Sequence, residues 1–135
     1  MKRAYPTILT KTKDLILVEV PDLEIVTEGK DLGDAIEMAR DAIGISGISM
    51  QDRGDDIPEP SEIGTINILN GSFASDGEGI LTLVDIDFDA YRREIDQKMV
   101  RRNVTLPSWL NTAANKAHLN VSRVLQDALK ESLGL

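Results

Sequence analysis

The sequence contains no cysteine. Disulfides and thiolate metal sites are therefore excluded, which fits a reducing compartment. There is a single histidine, His118, so neither a His-pair metal site nor a Ser/His/Asp relay can be built from more than this one residue. The longest apolar run, Leu15–Val18, is far too short for a signal or membrane segment. No glycine-rich stretch matches a phosphate loop. These absences point to a soluble cytoplasmic chain with no cofactor, no metal and no membrane partner. Apolar residues make up 41% of the 135 residues. That is enough for one core, so one domain, or a domain with a small appendage, is expected.

Charge is unevenly spread. The net charge is −8. Residues 1–97 hold nine Lys/Arg against 21 Asp/Glu, a net of −12, whereas residues 98–135 hold six against two, a net of +4. An acidic body and a basic tail suit partners of opposite sign: a cationic one for the body and a polyanion for the tail.

Along the body, Tyr5–Lys11 has strand composition and Thr12-Lys13-Asp14 suits a hairpin turn. Leu15–Val20 is apolar on both parities, as a strand buried on both faces should be. Pro21 ends it. Glu24–Thr27 reads as a third strand. Asp31 is a good N-cap, and Asp34 adds a negative charge near the same helix start. The helix is expected over Asp31–Ile43, with Leu32, Ala35, Ile36, Ala39, Ala42 and Ile43 on one stripe. Gly44 and Gly47 are stop signals. If the helix continues towards Asp52, Gly47 and Met50 extend the stripe, while Ile45 and Ile48 point away from it. Arg53–Pro60 is a loop, Ile66–Leu69 a possible strand, and Asn70–Gly79 a flexible turn region. Ile80–Asp87 is a strand, and Phe88–Lys98 a charged helical connector.

The tail reads as one strand, Met99–Leu106, then two helices broken at His118–Val121. One strand and two helices cannot close a core, so a partner strand from a second chain is implied. The most familiar arrangement of this kind is the ribbon-helix-helix DNA-binding fold, whose paired strands enter the major groove. By strand alternation, Val104 and Leu106 face the helices, while Arg101, Asn103 and Thr105 face outwards as base readers. Arg suits guanine, Asn adenine, and Thr a thymine methyl. Arg102 falls on the inward parity, and its expected role is a phosphate contact at the ribbon's end. Pro107 suits the first turn of the first helix. Val104, Leu106, Trp109, Leu110, Leu125 and Leu129 form the expected dimer core. His118 suits a left-handed helix end. Asn120 or Ser122 caps the second helix, where Asn120, Ser122 and Arg123 are the expected phosphate contacts.

The order of elements resembles the HicB family of antitoxins from bacterial toxin–antitoxin pairs. The likeness is carried by Pro21-Asp22-Leu23 with Val26-Thr27-Glu28-Gly29 and the Ala-rich helix. It continues in Ile57-Pro58-Glu59-Pro60-Ser61, and then in Val84-Asp85-Ile86-Asp87 with Tyr91-Arg92 and Asn103-Val104-Thr105-Leu106-Pro107. These stretches span nearly the whole chain. The pattern departs from the family at Glu24-Ile25, where Pro-Gly-Cys or similar is usual, and the Gly-rich stretch 70–79 reads as an insertion. The resemblance implies an α+β chain: a β-β-β-α-β truncated RNase H-like domain over 1–97, and a dimerising β-α-α ribbon-helix-helix over 98–135. It implies a non-enzymatic antitoxin. The body would occlude a small basic RNA-cleaving toxin of the HicA type, and the tail, as a homodimer or a tetramer, would bind operator DNA and repress its own operon. Candidate toxin-facing residues are Asp22, Glu24, Glu28, Ile45 and Ile48.

Two other classes stay open. One is a stand-alone ribbon-helix-helix repressor whose N-terminal domain senses a ligand. The other is an RNase H-like metal-dependent nuclease, for which Asp85, Asp87 and Asp89 would share a strand face. A calcium loop is disfavoured, because Ala90 stands where glycine is needed and Asp96 where glutamate is usual. The bland alternative for the three aspartates is a solvent-facing strand edge with a helix N-cap at Asp87 or Asp89.

Overall fold

A computed structural model of the chain describes residues 1–96 and 99–135. The chain divides into two compact units, Met1–Lys98 and Met99–Leu135. The expectations that fall on residues 97 and 98 lie outside the described residues. No described helix is long and apolar enough to cross a membrane.

The first unit is an antiparallel sheet with helices on one face. Its strands are β1 (Lys2–Lys11), β2 (Ile16–Val20), β3 (Ile25–Gly29) and β4 (Glu78–Asp87), ordered β3-β2-β1-β4. β1 pairs with β4 over ten consecutive positions, from Lys2↔Asp87 to Lys11↔Glu78. It therefore starts earlier than the sequence suggests and sits inside the sheet. Proline is tolerated at Pro6 because the ladder with β2 begins only at Ile8↔Glu19, so Pro6 lies beyond the stretch where β2 would need its N–H.

Tyr5, Leu9, Ile16, Val18, Val20, Val84 and Ile86 form a buried layer with Ala35, Ala39 and Ile43 of helix α1 (Leu32–Asp52). The start of α1 follows its sequence signal. The Asp31 carboxylate accepts the Asp34 N–H at 2.8 Å, and the Asp34 carboxylate accepts the Lys30 N–H at 2.8 Å. This reciprocal cap satisfies donors that a helix start leaves open.

The end of α1 does not follow its sequence signal. Gly44 and Gly47 do not stop the helix, which runs on to Asp52. The cause is α2 (Phe88–Ile95), whose aromatic rings pack against the two glycines. A Cβ at Gly47 would lie 2.2 Å from the Phe88 ring, and one at Gly44 2.8 Å from the Tyr91 ring. For a helix that runs on in this way, Ile45 and Ile48 are both expected to point away from the core stripe. Ile45 is exposed as expected, but Ile48 is buried with 6% exposure, which removes it from the candidate contact residues. Leu32, expected on the core stripe, is instead exposed in the first turn.

Three other expectations are corrected. Glu24 is not a strand residue. It takes a left-handed conformation (φ 53°) and its N–H closes a short 3-10 turn on the Pro21 carbonyl, so β3 begins at Ile25. Ile66–Leu69 is not a strand. The Asn67 side chain accepts the Leu69 N–H at 3.0 Å, and the segment folds into 3-10 turns at Ile63–Thr65 and Ile68–Asn70. The tail residues 99–107, expected to hold a strand, form none, and no described strand lies in ladder with them.

In the second unit, α3 (Ser108–Lys116) and α4 (Val121–Leu133) meet at a left-handed His118 (φ 55°). The His118 N–H bonds the Asn115 carbonyl and the Leu119 N–H bonds the Ala114 carbonyl, the pattern of a left-handed helix end. Pro107 sits at the N-cap of α3, one residue before the first turn.

Replacing Gly47 by Ala is expected to destabilise the body by ~1–3 kcal/mol, the range for forcing atoms into a packed core. Gly64→Ala, where a Cβ would meet nothing within 4 Å, is the matched control. Urea denaturation of both full-length variants checks this; equal midpoints would show that the ring-on-glycine contact does not hold α2.

Candidate functional site

Two surfaces carry the candidate residues, one on each unit. On the body, Glu28 and Val26 point from the outer face of β3, and Glu24 projects from the turn before it; all three are exposed. Ile45 lies at 54% exposure in a shallow groove along α1 lined by Thr27, Met38, Asp41, Ala42, Ser46 and Ser49. Asp22 is committed internally: its carboxylate accepts the Ser61 N–H at 2.8 Å and the Ser61 hydroxyl at 2.6 Å. The strain-prone backbone at Glu24 and the Asp22 anchor thus fix one end of the loop that the sequence offers as a contact region.

Met38 and Asp41 are groove residues that the sequence reading passed over. The signal was the spacing of Met38 and Ile45, seven residues apart and so on one side of a long helix. It was hidden because the helix was expected to end before Ile45. A second groove, lined by Asp34, Glu37, Met38, Arg40, Asp41, Tyr91 and Glu94, adjoins the first. The Tyr91 hydroxyl donates to Asp41 at 2.6 Å. Burial, then this bond and the Asp41 charge, push the Tyr91 phenol up to about 12.

The three aspartates do not converge. The Asp85 carboxylate pairs with the Arg40 guanidinium at 2.9 Å, which holds it below the ordinary carboxylate value. Asp87 caps α2 by accepting the N–H groups of Asp89 and Ala90, and these bonds, that of Ala90 foremost, lower its pKa. Asp89 bonds the ammonium of Met1. Among the described residues no group of three His, Asp or Glu side chains is placed to hold a metal ion.

On the tail, every large apolar side chain expected in a dimer core is incompletely covered. Val104 is 52% exposed, Trp109 71% and Leu129 50%, with Leu106 and Leu110 exposed and Leu125 half-buried. Arg101, Arg102, Asn103 and Thr105 lie in the exposed stretch before α3. Asn120 caps α4, its side chain accepting the Arg123 N–H at 3.1 Å. Ser122 is exposed in the first turn, and the Arg123 side chain lies 3.8 Å from Asp127. Asn120, Ser122 and Arg123 thus lie at one helix start, whereas the other tail residues share only a segment.

Known proteins give this geometry a context. A family model described as a HicB-like antitoxin of bacterial toxin–antitoxin systems matches residues 5–128. A toxin–antitoxin complex from Streptococcus pneumoniae contains a chain similar to this one at 22% identity and a TM-score of 0.61, over 98% of this chain and 99% of that one. The antitoxin HicB of Burkholderia pseudomallei is similar at 22% identity and a TM-score of 0.52, over 98% and 97%. A chain of a HicA3–HicB3 complex, also at 22%, covers 62% of this chain and 98% of its own length with a TM-score of 0.50. No curated protein matches.

The Tyr91 contact sets a pH dependence. The folded phenol keeps its proton to about 12, while an unfolded tyrosine loses it near ~10. The stabilisation is fully present below ~10 and is lost as pH rises from there to about 12. Tyr91→Phe should remove this alkaline component, so the stability difference between wild type and variant shrinks across that window. Urea midpoints measured from pH 9 to 12 test it; a constant difference would refute the assignment.

Proposed function

This chain belongs to the HicB-like antitoxin family of bacterial toxin–antitoxin systems, and from that premise we propose a division of labour between its two units. The body, a truncated RNase H-like domain without nuclease activity, covers the active surface of a small basic RNA-cleaving toxin of the HicA type. The tail pairs with a second copy as a ribbon-helix-helix, binds operator DNA and represses the operon that encodes both proteins.

The observation that carries this reading is the state of the tail. Its helices are capped at both ends of α4 by Asn120 and a left-handed Gly134, yet none of its residues is buried. A segment with well-specified helices and no interior is built to acquire one from a partner. A second copy would supply the missing strand, pair residues 99–106 across a two-fold axis, and cover Val104, Leu106, Trp109, Leu110, Leu125 and Leu129. Arg101, Asn103 and Thr105 would then face the groove. Arg102 would reach a phosphate at the ribbon's end, with Asn120, Ser122 and Arg123 at the start of α4 doing the same. The net charge of +4 on residues 98–135 suits DNA, and the body's −12 suits a cationic toxin. Such charge mainly sets association rate and partner choice.

On the body, Glu24, Glu28 and Ile45 are the proposed toxin contacts, with Asp22 holding the loop beside them. Co-expression with a small basic toxin of the HicA type, taken from beside the gene, is the deciding experiment. The full chain should relieve the growth arrest, and Ile45→Ser should weaken that relief without unfolding the protein. Unrelieved arrest would sink the antitoxin reading for this pair.

For DNA, Asn103→Ala should lose ~1–3 kcal/mol of discrimination at one base while leaving non-specific binding intact. Arg123→Ala should weaken all sequences about equally and reduce the salt slope by about one. Footprinting and salt titrations distinguish the two; a footprint that keeps its sequence preference without Asn103 counts against the base-reading role.

A further inference from the structure

We infer that the body takes its cationic partner as an added strand on β3, and that the partner segment is extended and alternates apolar with basic side chains. The inference rests on the antitoxin reading above and concerns how that contact is made. β3 is an outer strand of the sheet. Its five-position ladder with β2, from Ile16↔Gly29 to Val20↔Ile25, is unbroken by any bulge. A strand paired on one side presents N–H and C=O outwards at every second residue. Among the described residues no backbone group meets those on the outer side of β3. Ile25–Gly29 holds no lysine and no proline, two of the devices that usually blunt such an edge.

The two faces of β3 differ, and together they specify what fits beside it. Ile25, Thr27 and Gly29 turn towards the helix side, whereas Val26 and Glu28 are exposed on the other. Next to Thr27 the groove is lined by Met38, Ala42, Ile45 and Ser49 of α1. These stand at i, i+4, i+7 and i+11, on one side of the helix. Ala42 and Ser49 are small, so this row leaves room for side chains of a strand lying ~4.8 Å beyond β3. Met38 and Ile45 supply apolar surface there, at 39% and 54% exposure. Side chains of an added strand alternate between the faces. Those on the helix side enter the groove. Those on the other side lie beside Val26 and Glu28. Glu28 is the one charge in β3, and Glu24 just before the strand is also exposed. Cations on that face of the partner complement these carboxylates.

The edge is already ordered when the partner arrives. At one end Gly29 lets β3 touch α1, since a Cβ there would lie 2.4 Å from the Ala35 nitrogen. At the other end the Glu24 N–H closes the turn on the Pro21 carbonyl. Only the partner segment has to be fixed on binding, which keeps the ordering cost low. In such strand addition the main-chain bonds supply affinity, and the side chains taken up on alternate positions supply specificity. The mode also explains how Glu28 and Ile45, on different elements, can serve one contact. Glu28 would meet one face of the added strand and Ile45 the other.

The test uses the full chain and the small basic toxin of the HicA type from beside the gene. Amide hydrogen exchange, followed by NMR, should slow on toxin binding at alternate residues of Ile25–Gly29, those whose N–H faces outwards in the free chain. Toxin binding that leaves these amides unchanged overturns the added strand while the antitoxin reading stands. A wild-type chain that binds no toxin overturns both. Slowing that appears in the chain alone as its concentration rises gives the edge to a second copy and overturns the proposal. Val26→Lys changes an exposed side chain (58% exposure) and sets a cation beside a cationic segment. It should weaken toxin binding about tenfold or more and leave the urea midpoint of the free chain unchanged. A Val26→Lys chain that binds toxin as tightly as wild type overturns the docking at β3.

Discussion

A strand buried on both faces must be covered twice, and the body is arranged around meeting that demand for β1. Residues 5–10 are all buried. On one face Tyr5 and Leu9 pack under α1, in the same layer as Val84 and Phe88. On the other, Ile8 and Thr10 lie beneath the segment of 3-10 turns, where Ile68 and the 71–79 stretch approach them. The chain that leads from α1 to that second cover is irregular, and polar anchors fasten it. Arg3 donates to the Ile57 carbonyl at 2.9 Å and pairs with Glu59, and the Tyr5 hydroxyl donates to the Pro58 carbonyl at 2.7 Å. Asp22 holds Ser61, and Glu19 accepts the Ser72 N–H at 3.0 Å. Each anchor starts from a strand or from the turn after it, so the loop is fastened along its length. The exposed ion pair is worth little alone, but bonds to loop carbonyls and amides satisfy backbone groups that strands would otherwise pair.

The two units answer the same physical requirement in opposite ways. The body buries its apolar side chains within one chain. The tail is too short to do so: at 37 residues, from Met99 to Leu135, it falls below the size at which a single chain ordinarily folds alone. If the tail pairs as proposed, its order as a packed object would depend on association and its stability would become a function of concentration. Under the proposed function, a tail that forms its DNA-binding unit only on pairing would make repression track the abundance of the chain.

Local chemistry was legible in the sequence, and distant packing was not. Asp31 announces the start of α1 because an N-cap acts on donors three residues away. The left-handed turn at His118 was legible for the same reason. The four strands of the body also follow from composition and turn residues. By contrast, Gly44 and Gly47 read as stops because their partners, Tyr91 and Phe88, come more than 40 residues later. Even for a helix continued to Asp52, the stripe alone put Ile48 beside Ile45 on the outer side, whereas the structure buries Ile48 and leaves Ile45 exposed. Ile66–Leu69 has strand residues, but one local bond at Asn67 outweighs them. The tail strand shows the limit most plainly, since alternation can assign faces to Arg101, Asn103 and Thr105 but cannot supply the second strand. Arg102, on the inward parity of that segment, is the one charge the alternation does not accommodate.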